Sequence, residues 1–406
     1  MKTIYKLVAL LLFTVAAAAH AQVAPAATMG PAGLRYTFRY SETAEFYDVT
    51  GNRQTISPSA SVEYVNNAER RPFSMKYSGG YTWNVVGPSY ATGLFQRLAL
   101  SQSLLWRKWD VNFSDNVGYL PESPITGFSG IAGTGEPIGE PNPIPSGQSI
   151  LEENTHVVNN LANGTLTHQF NRATSFSAGG SSDLLRFPEG IGLDTDTVMA
   201  NGELAWQFNA RNRISGNYRF SQFTYPGYDV TFSTNATTFG YFRQWNRRIN
   251  TNVEAGPEFI GSADTAAVPN STRLSANAAV TYRYQFGETG LNYTHGTNGG
   301  AGYLLGAEFD TARAYYSRDF ERNLTVGFDA AYTRTSGLIN NGITDARFAG
   351  VQVTRRVGQY LTVFGNYTAI DQTTSSVLYS SALTGLEQVV SFGIGYSPRG
   401  TRIIRH

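Results

Sequence analysis

The feature that most restricts what this chain can become is an alternation of apolar and polar side chains with a period of two. From Phe73 to Val85 the odd positions read Phe, Met, Tyr, Gly, Tyr, Trp and Val, with Ser74, Lys76, Ser78, Gly80, Thr82 and Asn84 between them. From Leu274 to Phe286 the even positions read Leu, Ala, Ala, Val, Tyr, Tyr and Phe, separated by Ser275, Asn277, Ala279, Thr281, Arg283 and Gln285. Segments 34–40, 56–64, 214–220, 249–259 and 324–332 behave alike. Successive side chains of a strand point to opposite faces, so every such segment has one greasy and one wet side.

Two architectures are built from such strands. A sandwich buries the greasy faces against each other, and a membrane barrel turns them toward lipid. The segments run to about 11–15 residues, at or above the 9–11 that cross a bilayer at a tilt, whereas sandwich strands more often hold five or six. Tyr, Trp and Phe gather near segment ends, as interfacial girdles require. The wet side carries formal charge again and again: Arg35, Arg39, Glu63, Lys76, Arg97, Glu203, Arg219, Glu254, Glu258, Arg273, Arg283 and Asp329. On a sandwich these would form a solvated outer face; in a barrel they line a wet interior. The expected fold is therefore all-β, a transmembrane antiparallel up-and-down barrel. Backbone amides find no partner in hydrocarbon, so the sheet must close on itself.

The start of the chain bears on compartment. Lys2 and Lys6 precede an apolar run from Leu7 to Ala19, and Ala19-His20-Ala21 supplies small residues around a cleavage point before Gln22. This is the layout of a secretory signal over residues 1–21, too short in its apolar part to span a membrane as a helix. No later stretch approaches about 20 consecutive apolar residues, which excludes helical spans from the rest of the sequence. With no cysteine, disulfides cannot hold an exported chain of 406 residues. A formal net charge of +1 offers no argument for nucleic acid. Residues 22–33 read as a short Ala/Pro linker, too small for a plug domain.

The connections fall into two sets. Short polar ones lie at Asn66 to Arg71, Arg107-Lys108, Asn171-Arg172, Ala210-Arg211-Asn212, Asn246-Arg247, Gly287-Glu288, Asp319 to Arg322 and Arg355 to Gln359. Longer ones, rich in Gly, Pro, Ser, Thr or Asn, lie at 87–91, 120–153, 185–194, 262–270, 336–342 and 371–382, joined by tighter turns near 48–53, 225–228 and 298–300. Outer-membrane barrels have short periplasmic turns and longer external loops. Eight of the first kind and nine of the second make about 18 strands over residues 34–398, with both termini periplasmic; 16 follows if the blurred segments fail. Segment 302–318 loses phase near Arg313, where a bulge is expected. Phe242 to Ile249 parallels Tyr316 to Leu324, a repeated hairpin for which the fitness of Arg and Asn in tight turns near headgroups is explanation enough.

Residues 120–153 form the longest connection, rich in Pro and Gly and holding Glu122, Glu136, Glu140, Glu152 and Glu153 with no Lys or Arg. Loops of this length are uncommon unless functional or disordered. Counted along the chain, this is the third external loop, and there the sequence resembles the general bacterial porins. In that family the third loop folds into the barrel and sets acidic groups against basic groups on the wall. The resemblance implies an acidic role for Glu136 and Glu140; parity alone offers Arg35, Arg39, Arg97 and Arg273 as their wall partners and puts Arg283 and Glu254 on the same lining. The resemblance further implies a homo-oligomer, although no interface signature stands out. The alternating Val390, Phe392, Ile394 and Tyr396 resemble the C-terminal signal read by the outer-membrane insertion machinery, with Pro398 to His406 continuing as a tail beyond it.

Chemistry is not expected. The chain beyond residue 21 holds His156, His168, His295 and His406, none in a His-x-x-x-His or His-Glu-x-x-His spacing, and no nucleophile elbow occurs. No catalytic residue, metal or cofactor is assigned. The expected function is passive diffusion of small hydrophilic solutes across the outer membrane, with lipid and the insertion machinery as partners. The alternatives are a conduit for a polysaccharide or an electron carrier, and a non-conducting structural barrel. Most aromatics fall on the greasy side, Phe364 excepted, which speaks against a sugar path.

Overall fold

The computed structural model describes residues 32–47, 52–86, 92–121, 156–190, 192–262, 268–300, 304–320, 323–339, 342–375 and 384–398. The signal segment 1–21, the linker up to residue 31, nearly all of loop 120–153 and the tail 399–406 lie outside them. Eighteen strands follow one another: β1 (Gly33–Tyr47), β2 (Arg53–Asn66), β3 (Phe73–Val86), β4 (Gly93–Leu105), β5 (Trp109–Pro121), β6 (His156–Gln169), β7 (Thr174–Arg186), β8 (Thr195–Asn209), β9 (Asn212–Tyr225), β10 (Val230–Gln244), β11 (Ile249–Ser262), β12 (Ser271–Tyr284), β13 (Gly287–Asn298), β14 (Ala307–Phe320), β15 (Leu324–Gly337), β16 (Ile343–Val357), β17 (Leu361–Thr374) and β18 (Gly385–Tyr396).

Each strand pairs antiparallel with the next, and β1 pairs with both β2 and β18, so the sheet closes. Eighteen, not sixteen, is the count. β1 starts and β18 ends on the rim of short turns. Those turns are built by asparagine: Asn171 Oδ1 accepts the backbone N–H of Ala173 at 2.8 Å and of Thr174 at 2.9 Å. Asn246 Oδ1 likewise accepts from Arg248 N at 2.7 Å and Ile249 N at 2.8 Å. A side-chain oxygen that satisfies two amides lets the chain reverse within a few residues.

Three local expectations are corrected. β14 runs without a register shift; the irregularities are at Gln54/Thr55 in β2 and Gln207/Asn209 in β8. Phase blurred near Arg313 because Glu308 and Asp310 take outward positions at the long-loop end of β14, while Arg313 and Tyr315 turn inward. The β13–β14 connection occupies 299–306 rather than a tight turn at 298–300. Finally, Gly287 opens β13, which moves that short turn to Gln285 and Phe286.

Outward positions carry the apolar belt, with Phe239, Leu274, Leu291 and Phe392 all more than half exposed. Its upper edge is marked by tyrosines whose hydroxyls donate toward the long-loop rim: Tyr293 to Asp310 at 2.6 Å, Tyr332 to Asp345 at 2.5 Å and Tyr367 to Gln388 at 3.0 Å. Below that edge lies the stretch of tilted strand that an apolar band about 25 Å tall occupies. Asp115 interrupts the belt at mid-strand, where it accepts from Asn160 Nδ2 at 2.7 Å.

Inward aromatics lie against the wall. Phe364 is the register partner of Gly393, Phe95 of Gly80 and Tyr315 of Gly290. In each pair the ring occupies the space that a side chain on the glycine would need. Burying a ring on a strand glycine restores packing that glycine alone lacks. A Gly393→Val substitution would overlap both the Phe364 ring and the Tyr40 carbonyl. We expect it to cost about 1–3 kcal/mol, as overpacking does, in urea unfolding from lipid vesicles followed by tryptophan fluorescence. Gly365→Val, whose new Cβ would meet nothing nearer than Ser391 O at 3.8 Å, should change little.

Candidate functional site

The inward face gathers polar and ionised side chains because strand parity leaves them nowhere else. Arg35 on β1 faces its register partner Glu63 on β2, with Nη1 3.3 Å from Oε2. Arg39, further along β1, packs its stem against the Gly395 position of β18. Lys76 on β3 and Arg97 on β4 point the same way, Arg97 opposite Ser78. Arg283 sits near the short-turn rim, 3.4 Å from Glu288. Glu254 accepts from the Thr238 hydroxyl and shares a small recess with Asn201, Asn217 and Arg219. Arg219 reaches across to donate to Ser275 Oγ at 3.0 Å.

Arg273 behaves differently from its parity neighbours. It pairs with Glu308, which alternation assigns to the outward side of β14. The β12–β13 ladder ends at Ala276 and His295, so beyond that point side chains rather than backbone bonds bridge the wall. His295 joins this bridge, with Nε2 3.4 Å from Glu308 and Nδ1 2.9 Å from Asp310. Glu136 and Glu140 lie outside the described residues.

Sequence reasoning missed two inward ion pairs. Arg53 and Glu45 pair across β1 and β2 with each side chain 3% exposed. Arg313 grips Asp329 with Nε 3.0 Å from Oδ1 and 2.9 Å from Oδ2, while Nη2 also binds Oδ2; Asp329 is fully buried. Such a fork-on-carboxylate contact satisfies several lone pairs at once. The signal for it was present, since an inward Arg on one strand and an inward Asp on the next are the expected partners once register is known.

It also missed an apolar knot at the long-loop mouth. Leu193, Phe223, Tyr225, Phe232, Val268 and Leu338 bury one another there. Phe223, Tyr225 and Phe232 come from the inward face of the β9–β10 hairpin; the others come from the connections β7–β8, β11–β12 and β15–β16. The Phe223 and Phe232 rings stack with centroids 4.8 Å apart. Tyr225 donates its hydroxyl to the Gly299 carbonyl at 2.8 Å, which ties in the β13–β14 connection. Gly306, at φ 79°, lets that connection pass beside Phe232 and Leu338, where a side chain would collide with both. Among the described residues, no group of His, Asp and Glu is arranged to hold a metal ion; His295 meets Glu308 and Asp310 through opposite ring nitrogens.

No protein-family model matches the chain, and no curated protein matches it. In solved structures the chain is similar to OccK5 (OpdH) of Pseudomonas aeruginosa at 12% identity and a TM-score of 0.46, over 90% of this chain and 98% of that one. OccAB4 of Acinetobacter baumannii aligns at 11% identity and 0.48, over 91% and 99%. OccK9 (OpdG) of Pseudomonas aeruginosa aligns at 11% and 0.48, over 91% and 98%. The closed barrel itself rests on the chain's own strand ladders.

Removing Arg313 would strand the buried Asp329 carboxylate. We expect Arg313→Gln to cost about 3–5 kcal/mol, the scale for breaking a buried pair. Arg313→Met combined with Asp329→Leu should recover most of the loss in the same urea unfolding measurement; a double variant no more stable than the single one would show that the pair is not the cause.

Proposed function

We propose that this protein is an outer-membrane channel for passive diffusion of small hydrophilic solutes, and not an enzyme. The observation that carries the reading is the division of one closed sheet into an outward apolar belt and an inward face of ionised and amide side chains. A barrel of 16–18 strands is wide enough to hold an aqueous path. The short-turn rim faces the periplasm in this reading, and residues 1–21 direct export. Inward cations and carboxylates come close to balance, with Arg35–Glu63, Arg53–Glu45, Arg213–Glu203, Arg283–Glu288 and Arg313–Asp329 paired. Such a wall favours weak ion preference.

Arg39, Lys76 and Arg97 concentrate positive charge on the β1–β4 side of the wall, and the apolar knot crowds the flank of the mouth opposite. Solutes therefore pass nearest the cations. Glu136 and Glu140 supply the opposing charge if loop 120–153 enters the lumen, which would set a transverse field across the path.

Purified protein in planar bilayers should show open, ohmic conductance, and a silent protein would sink the channel reading. Arg97→Glu should move reversal potentials toward cation preference without loss of conductance. Deletion of residues 122–153 should raise single-channel conductance; an unchanged value would remove Glu136 and Glu140 from the path while leaving the channel intact.

A further inference from the structure

The rim of short turns carries a charge pattern for which solute passage has no use. Arg70 and Arg71, Arg107 and Lys108, and Arg247 and Arg248 stand as adjacent, exposed cations in three of its turns. Among the described residues between strands at this rim, Glu69 is the one carboxylate, with Asp110, Glu288 and Asp319 on the strand ends beside them. Turn geometry does not require these cations. Asn246 builds its turn through the backbone N–H groups of Arg248 and Ile249, and the two arginine side chains take no part in it.

The outward side of the same rim is aromatic, with Trp106, Phe170, Trp245 and Phe320 all exposed. Two guanidiniums are laid on these rings: Arg243 lies 3.8 Å from the Trp245 centroid and Arg318 lies 4.8 Å from that of Phe320. A cation stacked on an exposed ring at the end of an apolar belt is held at headgroup depth. The opposite rim differs, since its outward face sets each cation across from an acid, Arg334 between Asp310 and Asp345 and Arg347 beside Asp371.

We propose that the short-turn rim is a phosphate-binding collar that anchors the barrel to anionic phospholipid in the leaflet it faces. Guanidiniums bind phosphate oxygens in a two-pronged fashion, and in an anionic headgroup no tethered ammonium offsets that phosphate's charge; a phosphate shared between Arg243 or Arg318 and a neighbouring turn cation would be held from two sides. Lipid is favoured over a soluble polyanion because Arg243 and Arg318 point outward, away from the lumen, against rings that belong to the belt. The inference rests on the barrel being membrane-embedded and is independent of whether it conducts.

The test reconstitutes the full chain in phosphatidylcholine vesicles with and without phosphatidylglycerol. It compares the native chain with a variant carrying Arg243→Gln, Arg247→Gln, Arg248→Gln and Arg318→Gln. Phosphatidylglycerol should raise the unfolding temperature of the native chain, and the variant should lose most of that shift. Retention of phosphatidylglycerol after extraction, read by native mass spectrometry, should fall about fivefold per cation removed. Arg347→Gln on the opposite rim should keep the native shift. Lysine at the same four positions should restore part of it, which separates charge from misfolding. Equal shifts in native chain and variant would overturn the collar. So would binding of polyglutamate through the same arginines with no dependence on phosphatidylglycerol. An open pore without lipid preference would overturn the collar alone, and lipid preference in a silent protein would overturn the channel alone.

Discussion

A strand placed in hydrocarbon has no water to satisfy its amides, and every other property of this molecule follows from how that demand is met. The ladder from Phe38–Tyr396 to Tyr47–Glu387 joins the first strand to the last and leaves no edge. Once the ring is closed, residues of one parity must lie inside and those of the other outside. Charges therefore gather in the lumen and at the two rims, and Asp115, on the outward face, is held by Asn160. A wet interior is thus the result of closure, and transport is a use to which such an interior lends itself.

Inside the ring, polar groups are satisfied by neighbours on adjacent strands more than by distant ones. Arg53 with Glu45 and Arg313 with Asp329 are bonds between hydrogen-bonded strands, so they fix register as well as neutralise charge. A buried pair of this kind adds little net stability over an apolar one, but losing half of it is expensive. The same logic of adjacency places Phe364, Phe95 and Tyr315 flat on cross-strand glycines. Where adjacency fails, between β12 and β13 beyond Ala276, long side chains such as Arg273 and Glu308 take over the bridging.

Parity made most of this legible in the sequence. Arg35, Arg39, Arg97, Arg283 and Glu254 fall on the inward face because a strand repeats every two residues and tolerates no intermediate answer. The strand count was readable because asparagine and arginine recur where the chain must reverse tightly. What parity cannot supply is which residues meet across strands or between loops, since that depends on register accumulated around the ring. The pairing of Arg273 with the outward Glu308 illustrates the limit. The expected bulge near Arg313 arose from reading outward acids at a rim as a phase error. The knot was invisible for the same reason, as its members are ordinary apolar residues from separate connections. Glu136 and Glu140 belong to a stretch whose composition says acidic and long, and nothing about place.

The knot has an implication for how this rim can change over generations. A peptide spliced between Pro226 and Asp229 would pry Phe223 from Phe232 and, through Tyr225, loosen the strand of backbone at Gly299. Insertions on that flank are therefore shared burdens, tolerated when several connections adapt in concert. A grafted segment on this flank of the mouth meets a welded frame, in which one length change is felt by every connection that Tyr225, Phe232 and Leu338 tie together.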